Sequence, residues 1–204
     1  MTWISPFGLV VLGLAVAIST SFRDSLRLSL SRPGRVFTRV HPWEKILHPA
    51  KVVGVAVWAS LVLFTDLDRP LMTFLPLRAS LALQWTGAFV ALGGLAIACW
   101  AKIALGRQFA GRLALREDHE LITSGPYRRV RHPIYTGAIL ALWGTVLALD
   151  SLVGLLIWGV LFTLVLCLHT VAEEALLVER FGEAYRRYRR EVPRLIPIPR
   201  RAAR

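Results

Sequence analysis

GPYRRVRHPIYTG, residues Gly125 to Gly137, sets three arginines, a histidine and two tyrosines against the start of an uncharged apolar run. That run extends from Ile134 to Leu149, pauses at Asp150-Ser151, and resumes from Leu152 to Thr170. Each half is near the short limit of the roughly 20 residues that cross a hydrocarbon core as a helix, so the pair is expected to form a tight helical hairpin. Just past it come two adjacent acids, Glu173 and Glu174. Ionisable groups at the edge of a membrane span are costly to desolvate without partners, and groups of both signs at one depth therefore mark a candidate site.

The rest of the chain agrees with a membrane setting. Of its 204 residues 55% are hydrophobic, the mean hydropathy is +0.53, and the formal net charge is +12. A basic nucleic-acid-binding protein explains the charge but not several long apolar runs, so no nucleic acid partner is expected. No Ser/Gly-rich linker, charge block or repeat divides the sequence, and it reads as one domain, 1–204, with 1–78 holding two spans and a basic loop and 79–204 the remainder. Cys99 and Cys167 lie inside apolar runs as small hydrophobes, with neither a disulfide framework nor metal-ligand spacing.

Upstream, Trp3 to Ser21 carries no charge and forms the first span; the first charged residue, Arg23, follows it, so the segment reads as retained rather than as a cleaved signal. A cationic loop, Arg23 to Lys51, is interrupted by Arg32-Pro33-Gly34 and His41-Pro42. Val52 to about Leu67 is the second span and Ala79 to Leu105 the third, where Gly87, Gly93 and Gly94 allow close helix packing. Arg107 to Arg131 is the second cationic loop. From Ala172 to Val192 apolar and aromatic residues recur at helical spacing opposite Arg186, Arg187, Arg189 and Arg190, which predicts an amphipathic helix on the membrane surface or folded back over the spans, ended by Pro193, Pro197 and Pro199.

Five spans place 23 of the 25 basic residues on one side and leave Arg69 and Arg78 on the other. The fold is therefore expected to be an all-α integral membrane protein of five transmembrane helices plus a C-terminal amphipathic helix, with the N-terminus outside and the C-terminus cytoplasmic. That topology brings the Arg107–Arg131 loop, the start of span four and the end of span five to one cytoplasmic edge.

There, Pro133 restricts His132 and suits a first helical turn, so span four opens at His132. The positive end of that helix favours an anion, while Glu173 and Glu174 suit an ammonium, and one pocket can grip both ends of an amino acid. Blander assignments stand beside these: His132 as a simple helix cap, the glutamates as partners of Arg128 or Arg131, Tyr127, Tyr135, Tyr185 and Tyr188 as interfacial anchors, and His169 as a partner of Glu173. His41, His48 and His119 are too dispersed for a metal site.

The run HELITSGPYRRVRHPIYTG from His119, followed after the hairpin by EEALLVERFGEAYRRYRREVP from Glu173, closely resembles the isoprenylcysteine carboxyl methyltransferase family and its phospholipid methyltransferase relatives, from about Gly106 to Pro197. The resemblance implies S-adenosyl-L-methionine as cofactor, in a pocket open to the cytoplasm. It implies contacts from His119, Leu121, Ile122, Tyr127, His132, Pro133, Ile134 and Tyr135, with Glu173 the acid that holds the cofactor and Glu174 beside it. The glycine-rich turn of a soluble methyltransferase is absent from the sequence. One departure stands out: the family's carboxyl methyltransferases have a substrate-binding arginine four residues before the first cofactor glutamate, and this chain has His169.

A carboxylate acceptor needs no base, whereas an amine or hydroxyl must lose a proton, for which His169 and His132 are the candidates. The expected activity is methyl transfer to a lipophilic acceptor drawn from the bilayer, isoprenylcysteine carboxyl O-methylation first and N- or O-methylation of a lipid second. Two rivals are a membrane reductase using NADPH and a non-enzymatic adaptor that binds anionic lipid. A transporter is disfavoured because the spans carry almost no ionisable residue away from their ends.

Overall fold

The computed structural model describes residues 76–108 and 120–197, together with Pro6, Val10, Val36–Phe37 and Leu115–Arg116. Nearly all of the first two spans and of the first cationic loop, and residues 109–114 and 117–119 of the second, His119 included, lie outside the described residues. What is described is helical. Helix α1 is Leu81–Leu105, α2 is Pro133–Ala148, α3 is the short Leu152–Gly154, α4 is Phe162–Phe181 and α5 is Glu183–Glu191. A π-helical segment, Leu155–Leu161, joins α3 to α4. Among the described residues the one strand pairing is two residues long: β1, Val36–Phe37, runs antiparallel to β2, Leu115–Arg116, and so ties the first cationic loop to the second.

Helix α1 begins where Ser80 accepts the Leu83 amide and ends at Gly106, whose φ of +52 suits glycine. Helix α2 begins at Pro133, with His132 in the cap position, as its proline predicts. Both helices are apolar on all faces, so the amphipathic pattern of a surface helix does not orient them; small residues do. Gly87, Ala91, Gly94 and Ala98 on α1 face Gly137, Ala141, Gly144 and Ala148 on α2. A Cβ on Gly94 would lie 2.5 Å from the Ala141 amide nitrogen and the Gly137 carbonyl oxygen, so the backbones touch where any side chain would hold them apart. Gly93 faces open space and takes no part.

At one end of this pair the chain turns through Leu149–Ser151. Asp150 adopts φ +55, its carboxylate accepts the Ala79 amide at 2.8 Å, and its carbonyl accepts the Leu77 amide at 3.2 Å. Ser151 then caps α3 by accepting from the Gly154 amide. The returning helix packs on α2: the Trp143 indole donates to the Thr163 hydroxyl at 3.2 Å, and Phe162 and Leu166 share a core with Leu142, Val146, Ala88, Ala91 and Val10.

The predicted helix from Ala172 to Val192 is instead two. Residues 172–181 continue α4, and Gly182 at φ +55 redirects the chain into α5. The apolar stripe is in phase on both sides of residue 182, so periodicity alone hides the break; glycine's access to the left-handed region makes it. α1 and the stretch Leu155–Phe181 are long and apolar enough to cross a membrane.

Candidate functional site

The second end of the α1–α2 pair holds every described chemistry-bearing residue of the opening motif. Gly125–Arg128 forms a 3-10 turn against α1, where a Cβ on Gly125 would meet Ala104 at 3.7 Å. Pro126, Tyr127, Val130, Arg131, His132 and Pro133 are buried, while Arg128 and Arg129 point to solvent. The basic cluster thus divides into two exposed arginines that only set charge and one that enters the protein.

Arg131 enters to meet Glu174. Its Nε and Nη2 donate to Glu174 Oε1 at 3.0 and 2.7 Å, and its Nη1 donates to the carbonyls of Arg189 and Val192 at 2.9 and 2.5 Å. His132 Nε2 lies 3.2 Å from the same Oε1. Arg194 closes the set, donating through Nε to Oε1 and through Nη2 to Oε2, both at 3.1 Å. Glu174 is 3% exposed and fully engaged by these cations. A buried charge is tolerated only when so matched, and the cluster clamps α4, the entry to α2 and the tail beyond α5 together. Of the two partners weighed for the glutamates, Arg131 makes the contact and the exposed Arg128 does not.

Glu173, one residue earlier, faces differently. Its side chain is 34% exposed, yet its Oε2 is buried and has no hydrogen-bond partner among the described residues. His132 Nδ1 stands 3.7 Å from that oxygen, close enough for attraction but beyond hydrogen-bond reach. The two acids expected to act as one pair therefore do different work: Glu174 is spent on the protein, and Glu173 keeps an oxygen for something else.

The tail beyond α5 acts as a strap. The amides of Arg131 and His132 donate to the carbonyls of Pro193 and Arg194 at 2.9 and 3.1 Å, and the Thr136 hydroxyl donates to the Leu195 carbonyl at 2.7 Å. Arg194 and this strap escaped the sequence reading. They lie past Pro193 in irregular chain, where spacing carries no signal.

Tyrosines lock α5 in place. The Tyr188 hydroxyl donates to the Tyr127 carbonyl at 2.6 Å, and the Tyr188 and Tyr185 rings meet edge-on at 5.9 Å. All three side chains are buried rather than set out as interfacial anchors. Burial pushes the hydroxyls of Tyr127, Tyr185 and Tyr188 well above the ordinary phenol range, which keeps them neutral donors. Tyr185 is 1% exposed, and its hydroxyl has no hydrogen-bond partner among the described residues.

Deeper toward the helices, the Tyr135 hydroxyl and His169 Nδ1 are 2.9 Å apart, joining α2 to α4, and the Tyr135 ring also stacks obliquely on His132 at 5.8 Å. His169 is 1% exposed and pairs with Tyr135 in addition to its place one turn before Glu173. Ile134 is half-buried on α2, and Leu121 and Ile122 are half-buried in the extended chain before Gly125. Among the described residues no group of three or more His, Cys, Asp or Glu side chains is placed to hold a metal.

The chain is similar to known proteins over the part that builds this site. A family model described as phospholipid methyltransferase matches residues 82–184. A protein-S-isoprenylcysteine O-methyltransferase of Schizosaccharomyces pombe is 35% identical over 100 residues, 48% of this chain and 42% of that protein. A methanethiol S-methyltransferase of Pseudomonas deceptionensis is 41% identical over 75 residues, 37% of this chain and 28% of that one. The protein-S-isoprenylcysteine O-methyltransferase B of Arabidopsis thaliana is 31% identical over 98 residues, 47% of this chain and 50% of it. The chain thus spans half the length of these relatives or less. Apolar helices and the matched model together support an integral membrane protein. Since that model takes in α1, the Gly125 turn, α2, α4 and the Gly182 break, just over half of the sequence, the chain belongs to the phospholipid methyltransferase family.

Proposed function

We propose that this chain is an integral membrane methyltransferase that moves a methyl group from S-adenosyl-L-methionine to a lipophilic acceptor drawn from the bilayer, in the manner of the isoprenylcysteine O-methyltransferases it is similar to. In this reading five helices cross the membrane, the last two as a tight hairpin, with the N-terminus outside and the site cytoplasmic. The observation that carries the proposal is Glu173 Oε2, a buried carboxylate oxygen with no donor among the described residues, set 3.7 Å from His132 at the rim where α2 begins and α4 ends.

An ammonium group fits that oxygen, because a buried carboxylate oxygen without a hydrogen-bond donor gains most from a cationic one. When bound, S-adenosylmethionine would supply a sulfonium methyl whose carbon an acceptor attacks in line, the carbon–sulfur bond breaking to leave the neutral thioether. The protein's share is position and exclusion of water. His132, Pro133, Ile134 and Tyr135, at the start of α2, hold the donor with Tyr127, Leu121 and Ile122 on the loop side and Glu173 gripping the amino end, and the resemblance adds His119. Glu174 takes no direct part; with Arg131 and Arg194 it fixes the carboxylate beside it and the strap above. Apolar α1, α2 and α4 offer an acceptor a lateral path from lipid.

A second reading rests on His169, which stands where the resemblance implies a substrate-binding arginine. Paired with Tyr135 and buried, it suits an acceptor that must shed a proton, a thiol, amine or hydroxyl, better than a carboxylate. The similarity to methanethiol S-methyltransferases points the same way. His169 would take the acceptor's proton, and the Tyr135 hydroxyl would orient its ring.

Equilibrium binding to purified protein is the first test. Saturable S-adenosylmethionine binding that is lost in Glu173→Ala is expected; tight NADPH binding in its place would overturn the proposal. Incubation with methyl-labelled cofactor and a whole-lipid extract, followed by identification of the labelled product, then separates carboxyl from thiol, amine or hydroxyl acceptors.

A further inference from the structure

Two polar side-chain atoms among the described residues are sealed from solvent and lack a hydrogen-bond partner: Glu173 Oε2 and the Tyr185 hydroxyl. A buried hydroxyl left unpaired costs free energy that a fold seldom tolerates, and native structures hold few such atoms without a functional reason. Glu173 is already explained by the proposed site. Tyr185 is not, and the sequence offered it only as an interfacial anchor.

Its position is not peripheral. Tyr185 lies on the inner face of α5, one turn before Tyr188, whose hydroxyl reaches the Tyr127 carbonyl. α5 in turn lends the Arg189 carbonyl to Arg131, and the Arg189 side chain stands 3.8 Å from Glu174. Arg131 thus joins this helix directly to Glu174, the chain neighbour of the open acid Glu173. Both orphaned atoms therefore border one junction, between the start of α2, the end of α4 and α5. Their chemistry is complementary: Glu173 only accepts, while a neutral phenol donates. A ligand that satisfies both must carry a donor, best a cation, and an acceptor oxygen, as an amino acid or its ribose-bearing derivative does.

We propose that the Tyr185 hydroxyl is a ligand of the bound methyl donor, donating its hydrogen bond to an oxygen of S-adenosylmethionine while Glu173 takes the ammonium. This rests on the methyl-donor reading given above. It makes α5 part of the binding site rather than a membrane-surface ornament. Arg186, Arg187 and Arg190 stay exposed on the outer side of that helix, while the tyrosine face closes on the ligand.

The test is Tyr185→Phe, which removes one oxygen and keeps the ring that packs on Tyr188. Two quantities are measured on the full-length protein in detergent or nanodiscs: the affinity for S-adenosylhomocysteine by calorimetry, and the thermal midpoint without ligand. Loss of a ligand hydrogen bond weakens binding by about tenfold. The unliganded protein should be as stable as the wild type or more so, because no protein partner is lost and an unpaired polar atom is removed. Unchanged affinity would overturn the proposal. So would a joint fall in affinity and midpoint, the mark of a hydroxyl the fold itself employs. Failure of the wild-type protein to bind S-adenosylhomocysteine at all would instead sink the methyl-donor reading, and this inference with it.

Discussion

Glu173 and Glu174 differ in position by one residue and in circumstance by everything else. Substituting each by alanine should separate ligand binding from folding. In Glu174→Ala, Arg131 is left buried at 5% side-chain exposure without its counter-charge. Breaking a buried pair in this way costs about 3 to 5 kcal/mol, so the variant should express poorly or melt far below the wild type in a thermal shift. Glu173→Ala removes a carboxylate whose buried oxygen accepts no hydrogen bond from a described residue and lies 3.7 Å from His132 Nδ1, and its midpoint should change little while methyl-donor affinity collapses. His169→Ala removes the partner of Tyr135 and is expected to lower acceptor turnover more than donor affinity. Radiolabel transfer read against calorimetric binding decides it, and equal losses would contradict the role given to His169.

At the level of elements, fit between backbones sets α1 against α2, and a hydrogen bond to Tyr127 sets α5. Gly94→Leu places a side chain where the Gly137 carbonyl and the Ala141 amide already stand, so the helices must separate. Overpacking of this kind costs roughly 1 to 3 kcal/mol, and Gly93→Leu, which faces open space, is the matched control. The tyrosine lock has a pH signature. Burial holds the hydroxyl of Tyr188, and those of Tyr127 and Tyr185, above the ordinary phenol value of 10.0. A folded-state value raised above the unfolded one favours the fold below pH 10 and loses that contribution as pH rises past it. Thermal midpoints should therefore fall above pH 10, less steeply in Tyr188→Phe.

These elements also mark what the sequence discloses. Pro133 announces the start of α2, Asp150-Ser151 its turn, and the shared depth of the basic motif and the paired acids their meeting, because each depends on local covalent preference or on spacing along an apolar run. The break at Gly182 rests on a left-handed turn that the helical period runs straight through, while the strap through Pro193 to Leu195 and the reach of Arg194 to Glu174 depend on contacts between distant residues. No period or composition encodes those. The division of labour between two adjacent glutamates is likewise settled by which side of α4 meets Arg131, and a pair of identical letters cannot show it.

Across the whole molecule, α1 separates two chemically unlike ends. Its 25 residues rise about 1.5 Å each, enough to pass through a hydrocarbon core. One end carries the Pro76–Ala79 chain bound to Asp150, with Arg78 exposed; the other carries the Glu174 clamp and α5, with Arg187 exposed. On the proposed orientation the bias of basic residues puts the second end in the cytoplasm, on the side of the proposed water-soluble donor, with the lipophilic acceptor arriving from the side. With Cys99 and Cys167 changed to alanine, Arg78→Cys should react with a membrane-impermeant maleimide added to intact cells. Arg187→Cys should react only after the membrane is opened. The reverse pattern would put the site outside the cell, away from its donor, and labelling of both from one side would mean that α1 does not cross. Either result removes the physical basis for gripping a water-soluble donor at one rim while admitting its acceptor through the bilayer.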